Sequence, residues 1–177
     1  MVLKLHSANS IGRDLNSSIT KMFCAYFESP VGLLLIEGDD TTIVSISFQE
    51  KKEKKIQSSA IIRKCMQELE EYFSGKRKTF DVPLAPSGTP FQQAVWNELL
   101  KIPFAKTISY LQLARKLGDE KKIRAAGTAN GKNPIPIIIP CHRVIGSNGS
   151  MVGYGGGLWK KKWLLEFESG RSQRELF

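Results

Sequence analysis

Cysteine, histidine and arginine stand consecutively at Cys141-His142-Arg143, closing a run of isoleucines and prolines that begins at Asn133. The thiolate rather than the thiol is the nucleophile, and basic neighbours such as His142 and Arg143 favour it. The same cysteine after so apolar a run also reads as an inert core thiol, because burial raises a thiol's pKa. Pro134, Pro136 and Pro140 bias Asn133, Ile135 and Ile139 towards extended backbone, and each proline lacks an N–H. The segment is therefore expected to be a stiff, extended arm and not a central strand. Neighbouring side chains of an extended chain point to opposite faces, so a turn beginning at Cys141, or a water, has to connect Cys141 with His142. Glu168 is a carboxylate with a choice of partner. A helix over about Leu158 to Glu168 puts Leu158, Leu164, Leu165 and Glu168 on one face, where a glutamate needs compensation. Lys161 on the same face would make an intrahelical pair; His142 would make the histidine–carboxylate half of a nucleophilic triad.

The rest of the chain must position these groups. Its 177 residues suit one ordinary domain or two small ones, and 41% hydrophobic content is normal for a globular protein. No apolar run reaches membrane-span length, and Met1 to Thr20 lacks the apolar centre of a secretory signal, so residues 1–21 read as a polar extension. Cys24, Cys65 and Cys141 are odd in number and lack CxxC spacing, which argues against a disulfide framework and for a reducing compartment, cytoplasmic or, in a eukaryote, nuclear. His6 and Cys24 are too far apart for a compact zinc motif, so no metal is expected. Residues 1–88 carry 12 Lys and Arg against 11 Asp and Glu, whereas residues 89–177 carry 14 against 6. The net charge of +9 thus resides almost wholly in the half that holds Cys141, the electrostatic footprint of a polyanion partner.

Phe23 to Phe27, Leu33 to Glu37 and Thr42 to Phe48 read as strands joined by turns at Ser29-Pro30-Val31-Gly32 and Gly38-Asp39-Asp40. Ser59 caps a helix over about Ala60 to Phe73, with Ile62, Cys65, Met66, Leu69, Tyr72 and Phe73 on its apolar face. Thr79 to Val82 is expected to return as a fourth strand. Prolines and glycines at 83–89 mark a linker between a domain at 22–82 and another at 90–177. Thr89-Pro90 starts a helix to about Lys101 with Phe91, Val95 and Leu99 in one stripe. Ser109 caps the next, about Tyr110 to Leu117, and a third runs from about Lys121 to Asn130. Two short helices around a glycine-containing turn have helix-turn-helix form. In the third helix, Lys121, Lys122 and Arg124 lead into Ala125-Ala126-Gly127-Thr128-Ala129. So smooth a face suits either tight helix packing or shape-based binding in a narrow groove, and not base reading by long polar side chains. Gly146 to Gly157 lacks the phosphate-loop pattern and is either a connector or a pocket wall with exposed N–H groups.

Pro140-Cys141-His142-Arg143-Val144-Ile145 resembles the acceptor motif of the O6-alkylguanine-DNA alkyltransferases. Gly88 to Gln92, Ser109 to Ala114, Arg124 to Gly127, Asn133-Pro134, Tyr154 to Gly157 and Trp163 to Leu165 support the resemblance, which is strong over residues 88–168. It implies an α+β fold: a small ribonuclease-H-like sheet with one helix, then a mainly helical domain containing the helix-turn-helix. Cys141 would be the alkyl acceptor, His142 the base acting through a water, Glu168 its orienter and Asn133 a brace for the segment. Tyr110 would place a phosphate and protonate the departing guanine. Arg124 would enter the stack in place of the extruded nucleotide, with Lys121, Lys122, Ala125, Ala126, Gly127 and Thr128 completing the DNA surface. Val144, Pro136, Tyr154 and the Gly155 N–H would line the base pocket. The implied activity is one transfer from O6-alkylguanine, or O4-alkylthymine, in a flipped nucleotide. The product thioether offers water no carbonyl to attack, so the protein stays alkylated. No cofactor is implied. The expected partner is double-stranded DNA containing O6-alkylguanine, bound through its minor groove by a monomer, with no membrane involved. The zinc ligands that some relatives carry near the N-terminus are not evident.

Two rival readings lead elsewhere. A regulator or damage sensor of this form would bind DNA without chemistry, but such relatives lack the cysteine. A cysteine hydrolase would gather its pair from distant positions and would leave the basic half unexplained.

Overall fold

The computed structural model describes residues 21–170; the sequence-predicted extension, with His6, lies outside them except for Lys21. The fold is α+β, and the chain divides into two compact units between Ser87 and Gly88. In the first, β1 (Phe23–Ser29), β2 (Gly32–Gly38) and β3 (Ile43–Gln49) form an antiparallel sheet in sequential order. Gly32 takes φ 108° in the first turn, a conformation that favours glycine. At the second turn, one Asp39 carboxylate oxygen accepts from the N–H groups of Thr41 and Thr42. Helix α1 (Ala60–Phe73), capped by Ser59, packs on β1 and β2. Leu34, Ile36, Ile43, Ile62, Cys65, Leu69 and Tyr72 form the core between them.

No fourth strand forms at Thr79 to Val82. There the N–H groups of Asp81 and Val82 donate to the buried Glu68 carboxylate, which satisfies them in place of a sheet ladder. Pairing comes later: Ile43 bonds to Pro83 and Ala85, bringing the fully buried Leu84 against β3.

The second unit begins with α2 (Pro90–Leu99), whose Thr89–Gln92 capping box is formed as the sequence suggests. Its buried stripe is Val95, Trp96 and Leu99, with Phe91 only half-buried. The Trp96 indole donates to the Ala129 carbonyl. A short strand β4 (Ile108–Ser109) leads into α3 (Tyr110–Lys116), opened by a second capping box, Ser109–Gln112. The predicted third helix is interrupted. Asp119 caps a 3-10 turn at Glu120–Lys122, and α4 (Ile123–Gly131) starts afresh without a side-chain cap. Ala126 and Ala129 face inward while Ala125 and Thr128 are exposed, so the small-residue patch serves packing on one side and presents a smooth surface on the other.

The isoleucine–proline run is not an extended arm. Ile137 adopts φ 75° and the chain doubles back, with the Ile139 N–H on the Ile135 carbonyl. The proline restriction acts on the residues preceding each ring, which leaves Ile137 and Ile138 free to turn. Asn133 closes the loop, accepting from Ile135 N and donating to the Ile139 carbonyl at 2.8 Å. Cys141–Arg143 form a 3-10 turn, and β5 (Val144–Ile145) pairs parallel with β4. After the glycine-rich segment comes α5 (Leu158–Glu168). Its inward residues are Lys161, Leu164 and Glu168, whereas Leu158, predicted to share that face, is half exposed. No helix among the described residues is long and apolar enough to cross a membrane.

Candidate active site

Cys141 opens the 3-10 turn, so the turn that the sequence required to link it with His142 is present. All three residues of the turn are buried. Burial pushes the Cys141 thiol above its ordinary pKa. Against that act a hydrogen bond from the Asn133 side chain, the Lys161 charge and the backbone N–H groups of Cys141 and His142. His142 and Arg143, expected to favour the thiolate, are not what opposes burial here. His142 Nε2 and the Nε and Nη2 of Arg143 are committed to Glu168.

That carboxylate is the hub of the site. His142 Nε2 lies 2.9 Å from Glu168 Oε1, Arg143 contributes Nε at 2.9 Å and Nη2 at 2.8 Å, and Ala105 N donates at 3.1 Å. The remaining Arg143 nitrogen donates to the Ile102 carbonyl. Burial would raise the Glu168 carboxyl, but the hydrogen bonds and charges of His142 and Arg143 outweigh it and hold the group far below the usual carboxylate range. Burial lowers the His142 pKa, and Glu168 only partly restores it, so the ring is neutral at physiological pH. A carboxylate accepts only, so the ring proton sits on Nε2 and Nδ1 carries a lone pair. Nδ1 has no hydrogen-bond partner among the described residues. A buried, neutral imidazole with a fixed tautomer and an open lone pair is a competent base.

Lys161 does not pair with Glu168. It is fully buried, donating to the Val144 carbonyl at 2.7 Å and the Val152 carbonyl at 3.0 Å. Of the two partners open to Glu168 on the sequence, His142 is the one it meets.

A cavity of about 740 Å³ gathers the start of α3, the outer side of α4 and the glycine-rich segment. Among the residues singled out from sequence, Tyr110, Arg124, Gly127, Thr128, Tyr154 and Gly155 line it. Val144 and Pro136, expected there, do not; both are buried, Val144 in β5 and Pro136 at the turn before Ile137. Lys121, Lys122 and Ala125 are exposed, and Ala126 is buried. Tyr110 donates its hydroxyl to the Val152 carbonyl at 3.0 Å. Burial and then charge on the Cys141 sulfur raise the phenols of both Tyr110 and Tyr154, which couples the cavity wall to the thiol. No cluster of three or more His, Cys, Asp or Glu able to hold a metal occurs among the described residues.

Comparison with known proteins decides the family. The model of the 6-O-methylguanine DNA methyltransferase DNA-binding domain matches residues 90–170, and that of the same proteins' ribonuclease-like domain matches residues 22–86. The chain belongs to the 6-O-methylguanine DNA methyltransferase family. It is 44% identical over 153 residues to the methylated-DNA–protein-cysteine methyltransferase of Methanosarcina acetivorans, covering 83% of this chain and 98% of that one. It is 40% identical over 157 residues to the methyltransferase of Haemophilus influenzae, covering 85% and 88%. The crystal structure of Mycobacterium tuberculosis O6-methylguanine methyltransferase superposes with TM-score 0.78 at 38% identity, covering 88% of this chain and 98% of that one. The tuberculosis protein in complex with DNA gives 0.76 at 40% identity, covering 82% and 92%.

Every residue of the site lies in the part that matches the methyltransferase DNA-binding domain. Three contributors take parts other than those the sequence suggests: it singles out Arg143 and Lys161 for other contacts and gives Asn130 no role. Arg143 meets Glu168 across 25 positions, and nothing local marks that pairing. Asn130 is buried and donates to the Cys141 carbonyl at 3.4 Å. Lys161 did leave a signal, a lysine seven residues before Glu168 on the inward face.

Proposed function

We propose that this methyltransferase-family chain repairs DNA by moving the alkyl group of O6-alkylguanine, and of O4-alkylthymine, onto Cys141 in a single irreversible turnover. The supporting observation is the buried Cys141–His142–Glu168 set, in which the imidazole is neutral, its proton is held at Glu168 and its other nitrogen is free. The base leaves the stack at a cost of a few kcal/mol, less when damage has weakened its pairing. His142 Nδ1 takes the thiol proton through a water, the Cys141 sulfur attacks the saturated alkyl carbon, and the carbon–O6 bond breaks. The electron pair stays on guanine, which is protonated from Tyr110, and proton return from His142 restores the neutral groups. The products are S-alkylcysteine and unmodified guanine.

DNA enters along α4 through the minor groove. Arg124 fills the gap left by the flipped nucleotide, and the exposed Ala125 and Thr128 let the backbone approach closely. Lys121 and Lys122 supply charge to phosphates, while Tyr154 and Gly155 border the base. Cys141→Ala is expected to abolish methyl transfer from O6-methylguanine duplex while leaving the affinity for that duplex within about twofold, a difference of about 0.4 kcal/mol. Both are measured on one preparation, by repair assay and gel shift. Residual transfer by the variant would place the acceptor elsewhere.

A further inference from the structure

Lys161 is a fully buried ammonium in a family site to which the repair chemistry gives it no part. Removing an ammonium from water costs several kcal/mol unless something compensates. No carboxylate among the described residues does so. Its two hydrogen bonds go to the carbonyls of Val144, the residue that follows the Cys141 turn, and Val152, in the glycine-rich segment bordering the cavity. Its Nζ also stands 5.8 Å from the Tyr110 ring centroid, within cation–π range. Tyr110 in turn donates to the same Val152 carbonyl. The one ammonium therefore ties the cysteine turn, the cavity wall and the tyrosine together.

We infer that Lys161 is a positioning residue for the transfer: its buried ammonium clamps the Val152 carbonyl to the Val144 carbonyl at the end of the Cys141 turn and supplies the positive charge against which the thiolate develops. The inference rests on Cys141 being the acceptor. The other charged or titratable groups around the sulfur cannot replace it. His142 is neutral, the Arg143 charge is matched by Glu168, and Tyr110 and Tyr154 bring only groups that become negative. Burial lowers the Lys161 pKa and Cys141 raises it, as mutual attraction of the two groups requires.

The test follows iodoacetamide labelling of the Cys141 peptide against pH in the full chain, which needs no DNA. Lys161→Met should raise the midpoint of the profile by about one unit, equivalent to tenfold slower labelling below it, and Lys161→Arg should stay near the original midpoint. A folded Lys161→Met protein with an unshifted midpoint overturns the inference. A second measurement needs no variant. The Lys161 Nζ resonance of the unmodified protein should titrate at lower pH once Cys141 is alkylated, and an unchanged midpoint overturns the inference equally. Failure of the repair reading would appear separately, as no mass gain from O6-methylguanine DNA by the unmodified chain.

Discussion

Among the described residues, each unit buries one cysteine and one glutamate, and they use them in opposite ways. In the N-terminal unit both stand on α1. Glu68 accepts from the N–H groups of Asp81 and Val82. The Cys65 thiol, pushed far up first by burial and then by the Glu68 carboxylate, is inert packing. In the C-terminal unit the two arrive from distant parts of the chain. Glu168 is occupied by His142, Arg143 and Ala105, and the charge that Cys141 faces is the Lys161 ammonium. Burial is common to the two thiols. The sign of the charge that acts on the buried sulfur, the Glu68 carboxylate on Cys65 and the Lys161 ammonium on Cys141, separates a core cysteine from an acceptor.

The contrast between the two glutamates gives the larger expected effect. Glu168→Ala leaves Arg143 buried without its partner and should cost about 3–5 kcal/mol. Glu68→Ala unpairs two N–H groups at the edge of a core and should cost about 1–3 kcal/mol. Denaturant melts followed by tryptophan fluorescence report on the C-terminal unit, which contains Trp96, Trp159 and Trp163. Hydrogen exchange of the β1–β3 sheet reports on the other. Equal losses would erase the distinction.

A smaller effect follows from pH. Because the folded pKa of Glu168 is depressed, its contribution is fully present above the unfolded value of about 4.3 and is lost as pH falls through and below it. His142, whose folded pKa is also lowered, adds a penalty that begins as pH falls below about 6.5, when the unfolded ring takes a proton that the buried ring refuses. Tryptophan-detected stability should therefore decline in two stages on acidification, and Glu168→Gln should remove most of the lower one. A profile that is flat to pH 3 would contradict the charge state assigned to the hub.

Local chemistry was legible wherever it was written within a few residues. The caps Ser59, Thr89 and Ser109, the three strands of the sheet and the inward Ile62, Cys65, Leu69 and Tyr72 of α1 could be read from spacing, whereas the buried Glu68 could not. So could the possibility of a His142–Glu168 pair, because helical periodicity placed the glutamate on an apolar face. Features set by distant pairing were not. The turn at Ile137 depends on Asn133 reaching Ile139, the unpaired stretch at Thr79 to Val82 depends on Glu68, and the inward course of Lys161 depends on two carbonyls that only the folded chain brings together. The family resemblance supplied roles for the site residues but not the charge arrangement around the thiol.

The most direct measurement is the intact mass of the chain after incubation with duplex DNA containing O6-methylguanine, followed by peptide mapping. One added methyl group per chain, on Cys141, is the predicted result. No gain, or a methyl found on Cys24 or Cys65, would contradict the account.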